Sequence, residues 1–228
     1  SYKIFENLKF SKAAILISTF IVSVHPAFIY LSASINNDML SIFFMTLTVL
    51  YLIKWFCDSS FKNIVIMAMA LGLGMMTKLS VVMIAPVIAV VFIYALIKNI
   101  KHKTISNLWQ QYFTFGAVSI PLGMWYSIRN LILFNQPFGY VLKFSNSSTL
   151  YCGDYSFVQR FLSLPLQDLL TNIFPYVRED YNIYLYTLKS SLFGEWVFSG
   201  YSTQAKLFMI ANILLITISL ISMIYVFV

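Results

Sequence analysis

Three charged residues, Asp38, Lys78 and Arg129, could share one chemistry. Asp38 belongs to Ser-Ala-Ser-Ile-Asn-Asn-Asp-Met-Leu (32–40), a polar stretch between two long apolar runs. A carboxylate at the edge of hydrocarbon is costly unless it is paired or wet. Asp38 is therefore either a functional group or part of a helix cap, because Asn36, Asn37 and Asp38 all carry oxygens that can accept the free N–H groups of a helix opening near Met39. Lys78 follows Thr77 at the end of a later apolar run and could simply snorkel. Arg129, in Trp-Tyr-Ser-Ile-Arg-Asn (125–130), could be an ordinary interfacial anchor. Together, however, two cations beside an apolar wall are what a lipid phosphate would require. Arg offers a planar fork to phosphate oxygens and Lys a point charge. The acid could orient or activate a hydroxyl, or hold a cation.

The elements that must position these residues are membrane spans. The chain has 228 residues, 60% hydrophobic, 18% aromatic and only 10% charged, against roughly 25% charged for a soluble domain. Its net charge of +7 comes from short lysine clusters beside apolar runs, where anionic lipid and insertion topology explain it better than nucleic acid does. Runs of about 20 apolar residues mark spans. Six candidates occur, at 13–31, 39–56, 63–76, 81–97, 112–126 and 207–228. The third is short and carries Ala68, Ala70, Gly72 and Gly74, small residues that let helix backbones approach closely in lipid. It is expected inside the bundle. Pro26, Pro86 and Pro121 interrupt the first, fourth and fifth runs as tolerated kinks.

Orientation follows from the lysines. With a cytoplasmic N-terminus, Lys3, Lys9, Lys12, Lys54, Lys62, Lys98, Lys101 and Lys103 fall inside and Lys78 alone in the two short outer turns, eight against one. Asn36 to Asp38, Thr77 to Lys78 and the segment after Tyr126 then share the outer face. Residues 1–126 read as a bundle of five spans and 207–228 as a further, truncated span. Residues 127–206 read as an extracytoplasmic interfacial segment rich in Tyr and Trp, residues that favour the headgroup region. Within it, 154–173, broken at Pro165, and 178–193 fit interfacial amphipathic helices, and Asn135-Gln136-Pro137 and Asn146-Ser147-Ser148 mark turns. The chain opens at Ser1 and stops within an apolar run, so it reads as a piece of a longer protein. Cys57 and Cys152 fall on opposite faces and match no metal motif. His25 beside Pro26 and His102 in a lysine loop have no second ligand at helical spacing. No P-loop, no Gly-x-Gly-x-x-Gly and no Ser-His-Asp arrangement is present.

Several runs resemble a known family. His25-Pro26 with 32–40, Gly72-Leu73-Gly74 with Thr77-Lys78, 125–130 with Phe138-Gly139, and Leu188-Lys189-Ser190-Ser191-Leu192-Phe193-Gly194-Glu195 are similar to bacterial family 39 membrane glycosyltransferases, the GT-C class that includes dolichyl-phosphate-mannose protein mannosyltransferases. The resemblance implies an all-α polytopic plasma-membrane enzyme, a hexosyl- or mannosyltransferase. It would move a sugar from a polyprenyl-phosphate donor to an extracytoplasmic hydroxyl on a protein, lipid or cell-envelope glycan. Membrane lipids, donor and acceptor are the expected partners; no resident cofactor is certain, and a divalent cation is a further candidate. The family's catalytic base is expected in an outer loop upstream of Ser1. Asp38 then matches a later acidic position that orients the acceptor or binds a cation, and the chain as given is expected to be inactive alone. The expected substrate-binding residues are Asn37, Lys78, Arg129, Asn130 and Glu195, the last otherwise a satisfied interfacial carboxylate. The alternatives are a transporter or flippase with Asp38 as an ion or proton site, which the lack of an internal repeat disfavours, and a structural membrane subunit.

Overall fold

The computed structural model describes the chain apart from residues 35, 101–104, 139–144, 149–150, 152, 164, 176–180, 195–196, 199 and 228, and apart from the side chains of 99–100, 105, 168, 170 and 223–227. The described residues form helices and turns and no strand. The helices are α1 (Tyr2–Asn7), α2 (Lys12–Ser23), α3 (Pro26–Ala33), α4 (Asp38–Cys57), α5 (Phe61–Thr77), α6 (Ala85–Ile100), α7 (Ile105–Phe134), α8 (Phe157–Phe161), α9 (Asp168–Thr171), α10 (Ile183–Phe193) and α11 (Ser202–Phe227), with a 3-10 helix over Leu79–Ile84. Four of the described helices or helix runs are long and apolar enough to cross a membrane, five if the two pieces between Lys12 and Ala33 count as one span. The protein is an all-α polytopic membrane protein.

Two compact units divide the chain: residues 1–24 with 31–141, and residues 25–30 with 142–228. In the first unit α5 lies against both α4 and α7. Its small residues permit this. A Cβ on Gly72 would stand 2.7 Å from Leu122 Cβ and one on Gly123 would stand 2.8 Å from Met75 Sδ, separations that real carbon atoms do not tolerate. Met67, Ala68, Ala70, Gly72 and Gly74 are all buried, so the third apolar run is interior as its composition implies. Around it, Leu52, Trp55, Ile64, Met67, Leu71, Val81, Ile84, Ile88 and Leu108 make one apolar core.

Three helices differ from the expected spans. The first run is two helices rather than one, because Pro26 cannot supply the N–H that would continue the ladder, and Val24 and His25 separate them. The fourth begins as a 3-10 helix, and Pro86 falls in the first turn of α6, where a missing N–H is no loss. The fifth is twice as long as its apolar centre, running 30 residues from Ile105 to Phe134 straight through Pro121. Its polar ends are stabilised by partners that hydropathy does not see. Gln111, fully buried, accepts from the Trp55 indole at 2.5 Å and donates to the Ser59 carbonyl at 2.9 Å.

In the second unit α10 packs against α8 and α11. The Asn182 side chain caps α10, accepting from Tyr184 and Leu185 N–H groups at 3.0 and 3.1 Å. Leu185, Lys189, Leu192 and Phe193 are buried, and Ile173, Leu192, Phe193, Ala205 and Met209 form the unit's core. The described part of 178–193 therefore turns one face into protein. The expected helix over 154–173 reduces to α8 and α9, α8 opened by a Ser156–Gln159 capping box.

Candidate functional site

The polar stretch before α4 divides its labour. Asn36 Oδ1 accepts the Asp38 N–H at 3.0 Å, so Asn36 supplies the turn that starts the helix. Asn37 has no capping bond. Its side-chain amide instead donates to the Thr77 carbonyl at 2.7 Å, tying the first turn of α4 to the last of α5. Asp38 occupies the first turn of α4, where the helix dipole favours a negative charge, and its carboxylate accepts from the Lys78 ammonium. Lys78 ends α5 in an extended conformation, φ −153° and ψ 122°, after its N–H bonds the Gly74 carbonyl at 2.9 Å. The Asp38 and Lys78 side chains are 28% and 45% exposed. A pair this wet contributes only about 0.2–1 kcal/mol. Lys78 can thus exchange partners.

Beside Lys78 lies a cleft of about 290 Å³. It is lined by Met75, Met76, Thr77, Lys78 and Leu79 from the end of α5 and beyond, by Gly123, Tyr126, Ser127 and Asn130 of α7, and by Gln136 and Pro137. The α7 residues recur at intervals that place them on one helix face. Gln136 and Pro137 arrive there because Asn135 adopts a left-handed conformation, φ 53°, which asparagine tolerates better than most residues. The Asn135 and Gln136 N–H groups then close onto the Leu131 and Asn130 carbonyls at 3.0 and 3.4 Å. Of the described residues that line it, Lys78 alone carries a charge.

The expected site residues fall unequally around this cleft. Lys78 and Asn130 line it; Asn37 and Asp38 brace Lys78 and its neighbour Thr77 from α4. Arg129 is not part of the lining. It donates to Asn130 Oδ1 at 3.4 Å and its guanidinium stands 6.0 Å from the Tyr126 ring centre and 5.8 Å from that of Phe134. Glu195 lies outside the described residues. Among the described residues no group of three or more His, Cys, Asp or Glu is placed to hold a metal ion. A single carboxylate already holding an ammonium is a poor ligand set for a hard cation. Tyr126, Ser127 and Gln136 were not singled out by sequence reasoning, although the spacing of Tyr126 and Asn130 and the turn at Asn135-Gln136-Pro137 carried the signal.

A family model described as dolichyl-phosphate-mannose-protein mannosyltransferase matches residues 2–125, which include Asp38 and Lys78. No curated protein and no solved structure matches the chain.

Proposed function

The chain belongs to the dolichyl-phosphate-mannose-protein mannosyltransferase family, a family of membrane glycosyltransferases, and from that premise we propose that its cleft handles a polyprenyl-phosphate sugar at the extracytoplasmic face. The observation that carries the proposal is the placement of Lys78, the one charge among the described lining residues of a cleft between the ends of two helices, paired with Asp38 through an ammonium that is itself exposed and so can exchange partners. The lysine bias puts this end of the helices outside, the N-terminus of the chain inside and residues 127–206 on the outer face as an interfacial segment.

In the transfer, the acceptor hydroxyl oxygen bonds to the anomeric carbon as the bond from that carbon to the phosphate oxygen breaks. The hydroxyl proton goes to a base, and polyprenyl phosphate leaves with its electron pair. Charge grows on the departing phosphate, so a cation fixed beside it stabilises the transition state more than the ground state. Lys78 takes that role. Arg129, one residue from Asn130, reinforces the positive field from outside the lining. Asp38 is the acid that remains when Lys78 turns to phosphate, and its oxygens can then accept from the acceptor hydroxyl and orient it. The acceptor is a protein, lipid or cell-envelope glycan hydroxyl.

Donor titration with the membrane-embedded enzyme tests this. Lys78→Ala should weaken binding of the polyprenyl-phosphate sugar by about tenfold to a hundredfold, the loss of one charge-assisted contact, and slow turnover. Unchanged donor affinity would remove Lys78, and the cleft with it, from the reaction.

A further inference from the structure

We infer that Tyr126, Asn130 and Gln136 form the subsite that reads the sugar, a step that rests on Lys78 holding the donor phosphate. The lining separates by chemistry. Among the described lining residues the charge is Lys78; the remaining polar side chains, Thr77, Tyr126, Ser127, Asn130 and Gln136, are neutral. A sugar ring offers several hydroxyls, each both donor and acceptor, and apolar C–H faces. Side-chain amides, with two donors and an acceptor apiece, suit adjacent hydroxyls, and an aromatic ring suits the C–H face.

The ring and both amides are held by named contacts. Tyr126 packs edge-on against Trp125, ring centres 5.8 Å apart, and is backed by the Arg129 guanidinium. The Asn130 side-chain oxygen accepts from Arg129, so its amide N–H groups are not the ones that bond engages. Gln136 is set by the left-handed Asn135 and by its own N–H bond to the Asn130 carbonyl, which brings the two amides to one rim. At about 290 Å³ the cleft is at the low end of the roughly 300–1,000 Å³ of ligand pockets, suited to a single sugar phosphate rather than an oligosaccharide. Arg129 thereby becomes a positioning residue for Tyr126 and Asn130.

The experiment compares two probes on the intact enzyme in lipid nanodiscs: polyprenyl phosphate mannose and polyprenyl phosphate without sugar. Gln136→Ala and Asn130→Ala should each weaken the sugar-bearing probe by up to about tenfold, the scale of one hydrogen bond, and leave the sugar-free probe unchanged. The unchanged probe also shows that the variants are folded. Lys78→Ala should weaken both probes. Equal effects of Gln136→Ala and Asn130→Ala on the two probes, or no effect on either, overturn the sugar subsite while Lys78 stands. A Lys78→Ala variant that binds both probes normally overturns the phosphate reading instead. Asn135→Gly, which accepts a positive φ, should preserve discrimination, whereas Asn135→Val should reduce it by moving Gln136.

Discussion

The side-chain amide of Asn37 donates to the backbone carbonyl of Thr77 at 2.7 Å, across 40 positions of sequence and immediately before Lys78. One bond thus fixes the register between the start of α4 and the end of α5. It also sets where the Lys78 backbone leaves its helix. Asn37→Ala should raise the donor KM by up to about tenfold, since a neutral bond contributes about 0.5–1.5 kcal/mol. Asn37→Asp keeps the size but loses the donor and should not rescue. A purely structural bond would lower thermal stability without moving KM, so the two readouts together decide.

At the other end of the same unit, Trp55 and Gln111 bury a polar contact of 2.5 Å, and both side chains are almost wholly inaccessible. Gln111→Leu leaves the indole N–H and the Ser59 carbonyl without that partner. The buried indole N–H, orphaned, costs about 1–3 kcal/mol, whereas Ser59 is exposed and its carbonyl can turn to water. Gln111→Glu keeps an acceptor for the indole but replaces the donor to the Ser59 carbonyl with a buried carboxylate, and should lose at least as much. Thermal unfolding in detergent measures the difference, and donor affinity in the surviving folded fraction should stay unchanged, because the contact is remote from Lys78.

These two bonds also mark what the sequence could and could not reveal. The apolar runs and the small residues of α5 were legible, since each depends on neighbours a turn away. Asp38 and Lys78 were legible as lone charges at run ends. Gln111 was not, because its polarity reads as the end of a span until a tryptophan 56 positions earlier supplies the partner. Gln136 was hidden for a similar reason: the turn at Asn135 was readable, but the helix face it folds back upon was not. Arg129 shows the converse. Sequence placed it with Lys78, whereas the rings of Tyr126 and Phe134, three residues before and five after, keep it against α7.

That placement makes Arg129→Lys informative. A lysine keeps the charge but not the planar group that packs on rings and forks to oxygens. If Arg129 acts by holding Tyr126 and Asn130, the variant should lose part of the preference for polyprenyl phosphate mannose over the sugar-free lipid. If it instead contacts phosphate directly, both probes should weaken together. Titration of the two lipids separates these results.

Orientation can be read directly. Asn36 and Ser147 are exposed, and the lysine bias assigns both to the outside. In a background lacking Cys57 and Cys152, single cysteines at either position should react with a membrane-impermeant thiol reagent in intact cells. Labelling only after lysis would invert the topology and move the cleft to the cytoplasmic face.

Asp38→Asn then asks whether the acid does more than hold a lysine. Its backbone N–H, bonded to Asn36 Oδ1, and the clasp from Asn37 to Thr77 are both independent of its charge, so the fold should survive. The stability change should stay within about 1 kcal/mol, as for other exposed ion pairs. Turnover should nevertheless fall sharply with donor affinity little changed, because an amide cannot accept from the acceptor hydroxyl with a full negative charge. A double variant with Lys78→Ala completes the cycle. If the two residues only neutralise each other, the double variant should turn over as fast as Lys78→Ala alone. If they serve separate partners, acceptor hydroxyl and departing phosphate, the double variant should be slower than either. Normal turnover in Asp38→Asn would leave Asp38 as a counter-ion and return the acceptor's orientation to some other group.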